Sequence, residues 1–132
     1  RRAVIMVQRE VRDRLLAAPG GKTYGALNVF VQAAFLVTPV LKVSAGSFHP
    51  PPRVDSAVVQ LDTLAQPRAV EDDVFRAVVR AAFGQRRKTL RNSLSALEGA
   101  DAALAACGID GSRRAETLTV EELAALAGAL PS

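Results

Sequence analysis

Apolar residues fall into two regimes along the chain. Up to about residue 62 they form dense runs rich in Val, Leu and Phe. Beyond it they recur at three- and four-residue steps among alanines and charges. Ala3 to Val7 is a short branched run that predicts a buried strand, and such a strand needs cover on both faces. Gln8 to Ala18 predicts a helix. Val11, Leu15 and Leu16 lie on one side, Arg9, Glu10, Arg12, Asp13 and Arg14 mostly on the other, and Pro19-Gly20-Gly21 stops it. Branched and aromatic content predicts a strand over 28–43, although Gln32-Ala33-Ala34 at its centre also suits a helix. Pro39 implies a bulge, an edge position or a break. Val54 to Leu61 predicts a neighbouring strand.

Residues 63–69, with Thr63, Gln66 and Pro67, read as a linker. The pattern beyond is helical. Asp72 or Asp73 caps a helix running to about Phe83, with Val74, Val78, Val79, Ala82 and Phe83 inward, and Gly84 ends it. Arg86 to Leu97 predicts a second helix with Leu90, Leu94 and Leu97 along one face. Ala100 to Cys107 predicts a third, ended by Gly108. Thr119 with Glu122 forms a capping box for a last helix, Val120 to about Leu130. The expected fold class is α/β: a mixed α/β unit over 1–62, then a small all-helical domain over 70–132.

Composition narrows the chemistry. The 132 residues are 49% apolar with mean hydropathy +0.16, enough for a packed core. No apolar run approaches the roughly 18 residues of a membrane helix, so no membrane partner is expected. The N-terminal run lacks a small-residue cleavage site, so no signal peptide is expected. One cysteine and one histidine exclude an internal disulfide and leave no set of soft ligands for a metal. Cys107, before a helix-ending glycine, reads as buried. No Gly-rich phosphate loop, zinc spacing or paired-carboxylate site is visible. A net charge of +4 mildly favours a polyanionic partner.

The cations are unevenly placed. Gln85-Arg86-Arg87-Lys88-Thr89-Leu90-Arg91-Asn92-Ser93 holds four cations and no carboxylate. Cations at a helix N-terminus oppose the macrodipole, so a sequence that keeps them there is using the charge. On a helix, Arg87 and Arg91 share a face while Leu90 and Leu94 turn inward, presenting guanidinium groups to phosphates. A merely solvated basic face is the competing reading. Arg113-Arg114 reads as structural, with Glu116 close enough to pair with one of them. Lys22 and Tyr24, in a Gly-flanked loop, either touch substrate or form a plain turn. Phe48-His49-Pro50-Pro51-Pro52-Arg53 is a stiff extended segment leading into a strand. It either tucks Phe48 into the core or holds its ring for a ligand, and His49 reads as exposed.

These motifs together resemble the small-subunit ribosomal RNA adenine dimethyltransferase family. The resemblance rests on Met6-Val7-Gln8-Arg9-Glu10-Val11 with Arg14-Leu15, on Tyr24-Gly25-Ala26-Leu27, and on Phe48 to Val59 with its Phe-x-Pro-x-Pro-x-Val-Asp-Ser block. It continues through Ala82 to Leu94 with Gln-Arg-Arg-Lys-Thr, and Gly108-Ile109-Asp110 and Arg114-Ala115-Glu116 also fit. It covers nearly the whole chain in order. The resemblance implies the C-terminal strands of a Rossmann-like methyltransferase sheet over 1–62, a linker over 63–69 and a helical rRNA-binding domain over 70–132. It implies dimethylation, with S-adenosylmethionine, of the exocyclic amines of two adjacent adenosines near the 3′ end of small-subunit rRNA.

The family's Gly-rich cofactor loop and Asn-Leu-Pro-Tyr motif match nothing in the chain. The resemblance therefore implies a C-terminal half, inactive alone, with S-adenosylmethionine held by the missing half and a bare sheet edge and face. It gives Phe48 the stacking of the target adenine, and it places Arg86, Arg87, Lys88, Arg91, Lys22, Tyr24 and Arg53 on RNA. It also implies a cytoplasmic protein, a monomer when full length, acting on the immature small ribosomal subunit. A non-catalytic RNA-binding or ribosome-assembly module, and a related large-subunit rRNA methyltransferase conferring macrolide resistance, are the alternatives.

Overall fold

The computed structural model describes residues 1–47, 49–50, 54–85 and 87–131, with Ser47 described by its backbone only. Strand β1 (Arg2–Gln8) leads directly into helix α1 (Arg9–Leu16). Helix α2 (Ala26–Ala34) leads directly into strand β2 (Phe35–Val43), and β3 (Ser56–Thr63) completes the strands. Helices α3 (Asp73–Phe83), α4 (Leu90–Ser93), α5 (Ala100–Cys107) and α6 (Val120–Ala129) follow, with short 3₁₀ turns at Ala45–Ser47 and Ala115–Thr117.

The described strands form one sheet in the order β1-β3-β2, both outer strands antiparallel to β3. Ile5 faces Val59 and Val37 faces Leu61 across the ladders. The register slips between Pro39 and Leu41, so Val40 is the extra residue of a bulge on an outer strand. α1 covers one face, over the buried Leu15, Ala57 and Val59. The other face is open: Val4, Met6, Leu36 and Leu41 are 48–58% exposed.

Two predicted elements are corrected. The strand expected over 28–43 begins only at Phe35, and its first part is helix α2. The Gly25 amide donates to Asn28 Oδ1 at 2.8 Å, which starts the helix, and Val29 and Ala33, four apart, enter the core. β-rich composition concealed that spacing. The helix expected over 86–97 shrinks to four residues, Leu90–Ser93. The amides of Leu90 and Arg91 donate to the carbonyls of Arg113 at 2.7 Å and Gly111 at 3.0 Å, so they are withheld from an earlier helical turn. Arg87 therefore lies before α4, not on a helical face shared with Arg91.

The main core joins α2 to the later helices, so residues 63–69 do not interrupt it: Ala69 is buried within it. On α3 the fully buried positions are Phe75, Val78, Val79 and Ala82. Phe75, absent from the predicted face, packs edge-on against Phe30 with ring centroids 6.1 Å apart. Asp72 caps α3 through Phe75 N–H at 2.8 Å. Gly108, at φ +66°, ends α5 in the left-handed conformation that favours glycine. Leu90, Leu94, Leu104, Leu118, Leu123 and Leu126 fill the centre. Cys107, expected to be buried, is only half-buried.

The capping box of α6 is present in both directions. Glu122 N–H donates to Thr119 Oγ1, and Thr119 N–H to Glu122 Oε1, each at 3.0 Å. Arg113 completes it with bonds of 2.6 and 3.2 Å to the same carboxylate. The Arg113 bond is the largest cause holding the Glu122 carboxyl below its ordinary 4.5. Stability from this group is present above that ordinary value and is lost as pH falls through the lowered one. Glu122→Gln is expected to lose about 1–2 kcal/mol at pH 7 and to converge with the unmodified chain in acid. Urea unfolding across pH measures this, and a gap that stays constant would contradict it.

Tyr24 is 5% exposed, and its hydroxyl bonds to no described protein atom. Burial, reinforced by Glu121 and Glu122, raises its pKa from 10.0 to about 12. The folded chain thus keeps a proton that the unfolded chain releases above pH 10, so stability falls as pH rises towards about 12. Tyr24→Phe is expected to hold or gain about 1 kcal/mol at pH 7, since it removes an unpaired buried hydroxyl. It should also flatten the alkaline loss, which unfolding series on the two chains would show.

Candidate nucleic-acid interface

The basic segment starts where α3 stops. A Cβ at Gly84 would stand 2.9 Å from the Arg80 carbonyl oxygen, so any larger residue would force the end of α3 to shift. Gln85 carbonyl accepts from Lys88 N–H at 3.2 Å, which holds these two residues close. Arg87 and Lys88 are exposed and form no ion pair among the described residues. Arg91 is on α4, 64% exposed, with its Nε 4.0 Å from Asp101. An ion pair this exposed and this long contributes little, so the charge stays available. Its guanidinium lies over Gly111, where a Cβ would come within 3.0 Å of Nη2.

Two other charged groups of the facing loop, Asp110 and Arg113, are engaged elsewhere. Asp110 accepts from Ser112 N–H at 2.9 Å and Ser112 Oγ at 2.8 Å, bonds that hold its carboxyl below the usual range. Arg113 is committed to Glu122 and the Thr117 carbonyl. The expected pairing of Glu116 with Arg113 or Arg114 does not form: Arg114 is exposed, and neither residue makes an ion pair among those described.

Lys22 and Tyr24 approach the same region from the other side. The loop over 20–26, the last turn of α3 and the 3₁₀ turn at Ala115–Thr117 enclose a cavity of about 550 Å³ lined by Lys22, Tyr24, Phe83 and Glu116. Gly20 N–H donates to the Glu116 carbonyl at 2.6 Å, fixing two of these walls together. The Tyr24 and Phe83 rings meet edge-on, centroids 6.0 Å apart and planes at 62°. Lys22 is exposed and unpaired among the described residues. The structure thus brings Lys22 and Tyr24 against the last turn of α3, with Arg87 and Lys88 following that turn along the chain and Arg91 on α4.

Of the remaining predicted site residues, Phe48, Arg53 and Arg86 lie outside the described residues, and His49 is exposed as expected. Sequence reasoning passed over Phe83 and Glu116 as site residues and gave Arg114 a structural role. No spacing signals Glu116, because its freedom depends on Arg113 reaching Glu122 instead. Among the described residues no cluster of acidic, His or Cys side chains could hold a metal, and no helix is long and apolar enough to cross a membrane.

Comparison with known proteins agrees with this geometry. Residues 1–130 match the family model for ribosomal RNA adenine dimethylase. A Syntrophotalea carbinolica protein named ribosomal RNA small subunit methyltransferase A is 53% identical over 132 residues, covering 96% of this chain and 50% of the relative. A Rhodospirillum rubrum protein of the same name is 49% identical, covering 98% of this chain and 45% of its own. The chain thus spans about half the length of the curated relatives it matches.

Among solved structures, a dimethyladenosine transferase from Plasmodium falciparum superposes with a TM-score of 0.78 at 25% identity, over 95% of this chain and 55% of that one. The 23S rRNA methyltransferase ErmE gives 0.62 at 25% identity, over 98% and 54%. The small antiparallel sheet, the helices behind it and the match along almost every residue lead to one assignment: the chain belongs to the ribosomal RNA adenine dimethylase family.

Proposed function

We propose that this chain is the RNA-gripping part of an S-adenosylmethionine-dependent enzyme. The enzyme dimethylates the exocyclic amines of two adjacent adenosines near the 3′ end of small-subunit rRNA. The observation that carries the reading is 53% identity, across 96% of the chain, to a small-subunit rRNA methyltransferase. Residues 1–62 are then C-terminal strands of a Rossmann-like sheet, 63–69 the connection and 70–132 the rRNA-binding helices. The open apolar face of Val4, Met6, Leu36 and Leu41 supports this, since a sheet of that class is covered on both faces.

The residues present do not fit S-adenosylmethionine. The described strands are all antiparallel to their neighbours, so they form no parallel strand–helix crevice of the kind that holds such a cofactor. A base acted on by an enzyme must leave its stack and be held on aromatic faces, and Phe48 takes that role. Arg53, Arg86, Arg87, Lys88, Arg91 and Lys22 bind backbone phosphates, which gives affinity rather than base identity. The partner is the immature small subunit, and the full-length protein acts as a cytoplasmic monomer.

Titration calorimetry of the 132-residue chain with S-adenosylmethionine is expected to show no binding; micromolar binding would contradict the division of labour. Small-subunit rRNA is expected to bind with an affinity that falls steeply with salt. Replacing Arg87 and Lys88 with Ala should lower the slope of log K against log salt by about 1.5, close to one phosphate contact per cation. An unchanged slope would remove the phosphate role. In a full-length protein of this family that carries this segment, Phe48→Ala is expected to cut methylation with the fold intact. Loss of folding instead would assign the ring to the core.

A further inference from the structure

The cavity at the end of α3 is larger than phosphate binding requires, and its lining includes Glu116, an acidic residue that phosphate would avoid. Its volume, about 550 Å³, is in the range of small-molecule sites. Glu116 is half-buried on its wall and forms no ion pair among the described residues. A free carboxylate repels an anion but accepts a pair of N–H donors. We propose that this cavity seats one unpaired RNA base with a paired donor edge, guanine above the others. The reading rests on the rRNA assignment above, and this base is distinct from the adenine that Phe48 would hold.

The walls suit that occupant. Phe83 is half-buried, and its ring is braced by Tyr24 at 62°, so it offers a fixed platform against which a base can stack. Guanine carries N1–H and N2–H side by side, which match the two oxygens of Glu116. Adenine sets an acceptor, N1, beside its N6 amine; uracil places N3–H between two acceptors; cytosine offers N4–H alone. Lys22 is placed to take the phosphate of the same nucleotide. Arg87 and Lys88, four and five residues after Phe83, are placed for its neighbours. The Gly20 bond to the Glu116 carbonyl holds the walls before any ligand arrives, which lowers the ordering cost of binding.

Fluorescence anisotropy of the 132-residue chain with a short oligoadenylate, and with the same strand carrying one central guanine, tests this. The guanine strand is expected to bind roughly tenfold tighter. Glu116→Gln, its fold checked by circular dichroism, should remove most of that preference while salt-dependent binding of oligoadenylate is kept, raised slightly by the loss of a negative charge. Guanosine should displace the guanine strand, and adenosine and inorganic phosphate should not; this arm needs no variant.

Equal affinity for the two strands with salt dependence intact would overturn the base site and leave the rRNA reading standing. So would displacement by phosphate alone, which marks an anion site. Absence of salt-dependent binding to either strand would overturn both.

Discussion

Leu90 and Arg91 give their amides to the carbonyls of Arg113 and Gly111, and most of the basic surface follows from that exchange. An amide can serve one such partner well. Pointed at a loop some twenty residues downstream, these two cannot support a helical turn before Leu90. Arg87 and Lys88 therefore project from a corner rather than a cylinder. A helix of only four residues also has a small macrodipole, so the cations at its start meet little opposition.

The loop that captures those amides is itself held from the far side. Arg113 reaches Glu122 and the Thr117 carbonyl, and Glu122 closes the cap of α6. One carboxylate thus answers both a guanidinium and a helix terminus. The side chains of its neighbours Arg114 and Glu116 form no ion pair among the described residues. The charges kept for structure and those left for a ligand alternate within a few residues, and the backbone between them sets which is which. The cavity beside Phe83 is bounded by the same 3₁₀ turn, so the cap of α6, the length of α4 and the floor of the site are parts of one assembly.

What the sequence revealed follows from how local each signal is. Asp72, Gly108 and the Thr119–Glu122 pair act within three or four residues, and the helix ends they predict are where the structure places them. Pro39 signalled a bulge, an edge position or a break, and the structure places it beside a bulge on an outer strand of the described sheet. α2 was hidden by its valines and phenylalanine, which outweighed the Val29–Ala33 spacing until the Gly25–Asn28 bond was seen. α4 could not be sized at all, since its limit is set by Gly111 and Arg113. The cations of the site were legible as charge without local counter-charge. Glu116 was not, because it looked like the partner Arg113 needed.

The central claim is that the corner after α3, with the loop facing it, is the surface that grips RNA. Ultraviolet crosslinking of the chain to small-subunit rRNA, with the joined peptides identified by mass spectrometry, tests it most directly. Crosslinks should concentrate in the peptides that carry Lys22 to Tyr24 and Phe83 to Arg91. Crosslinks confined to the outer surfaces of α5 and α6, with those two segments unmarked, would contradict it.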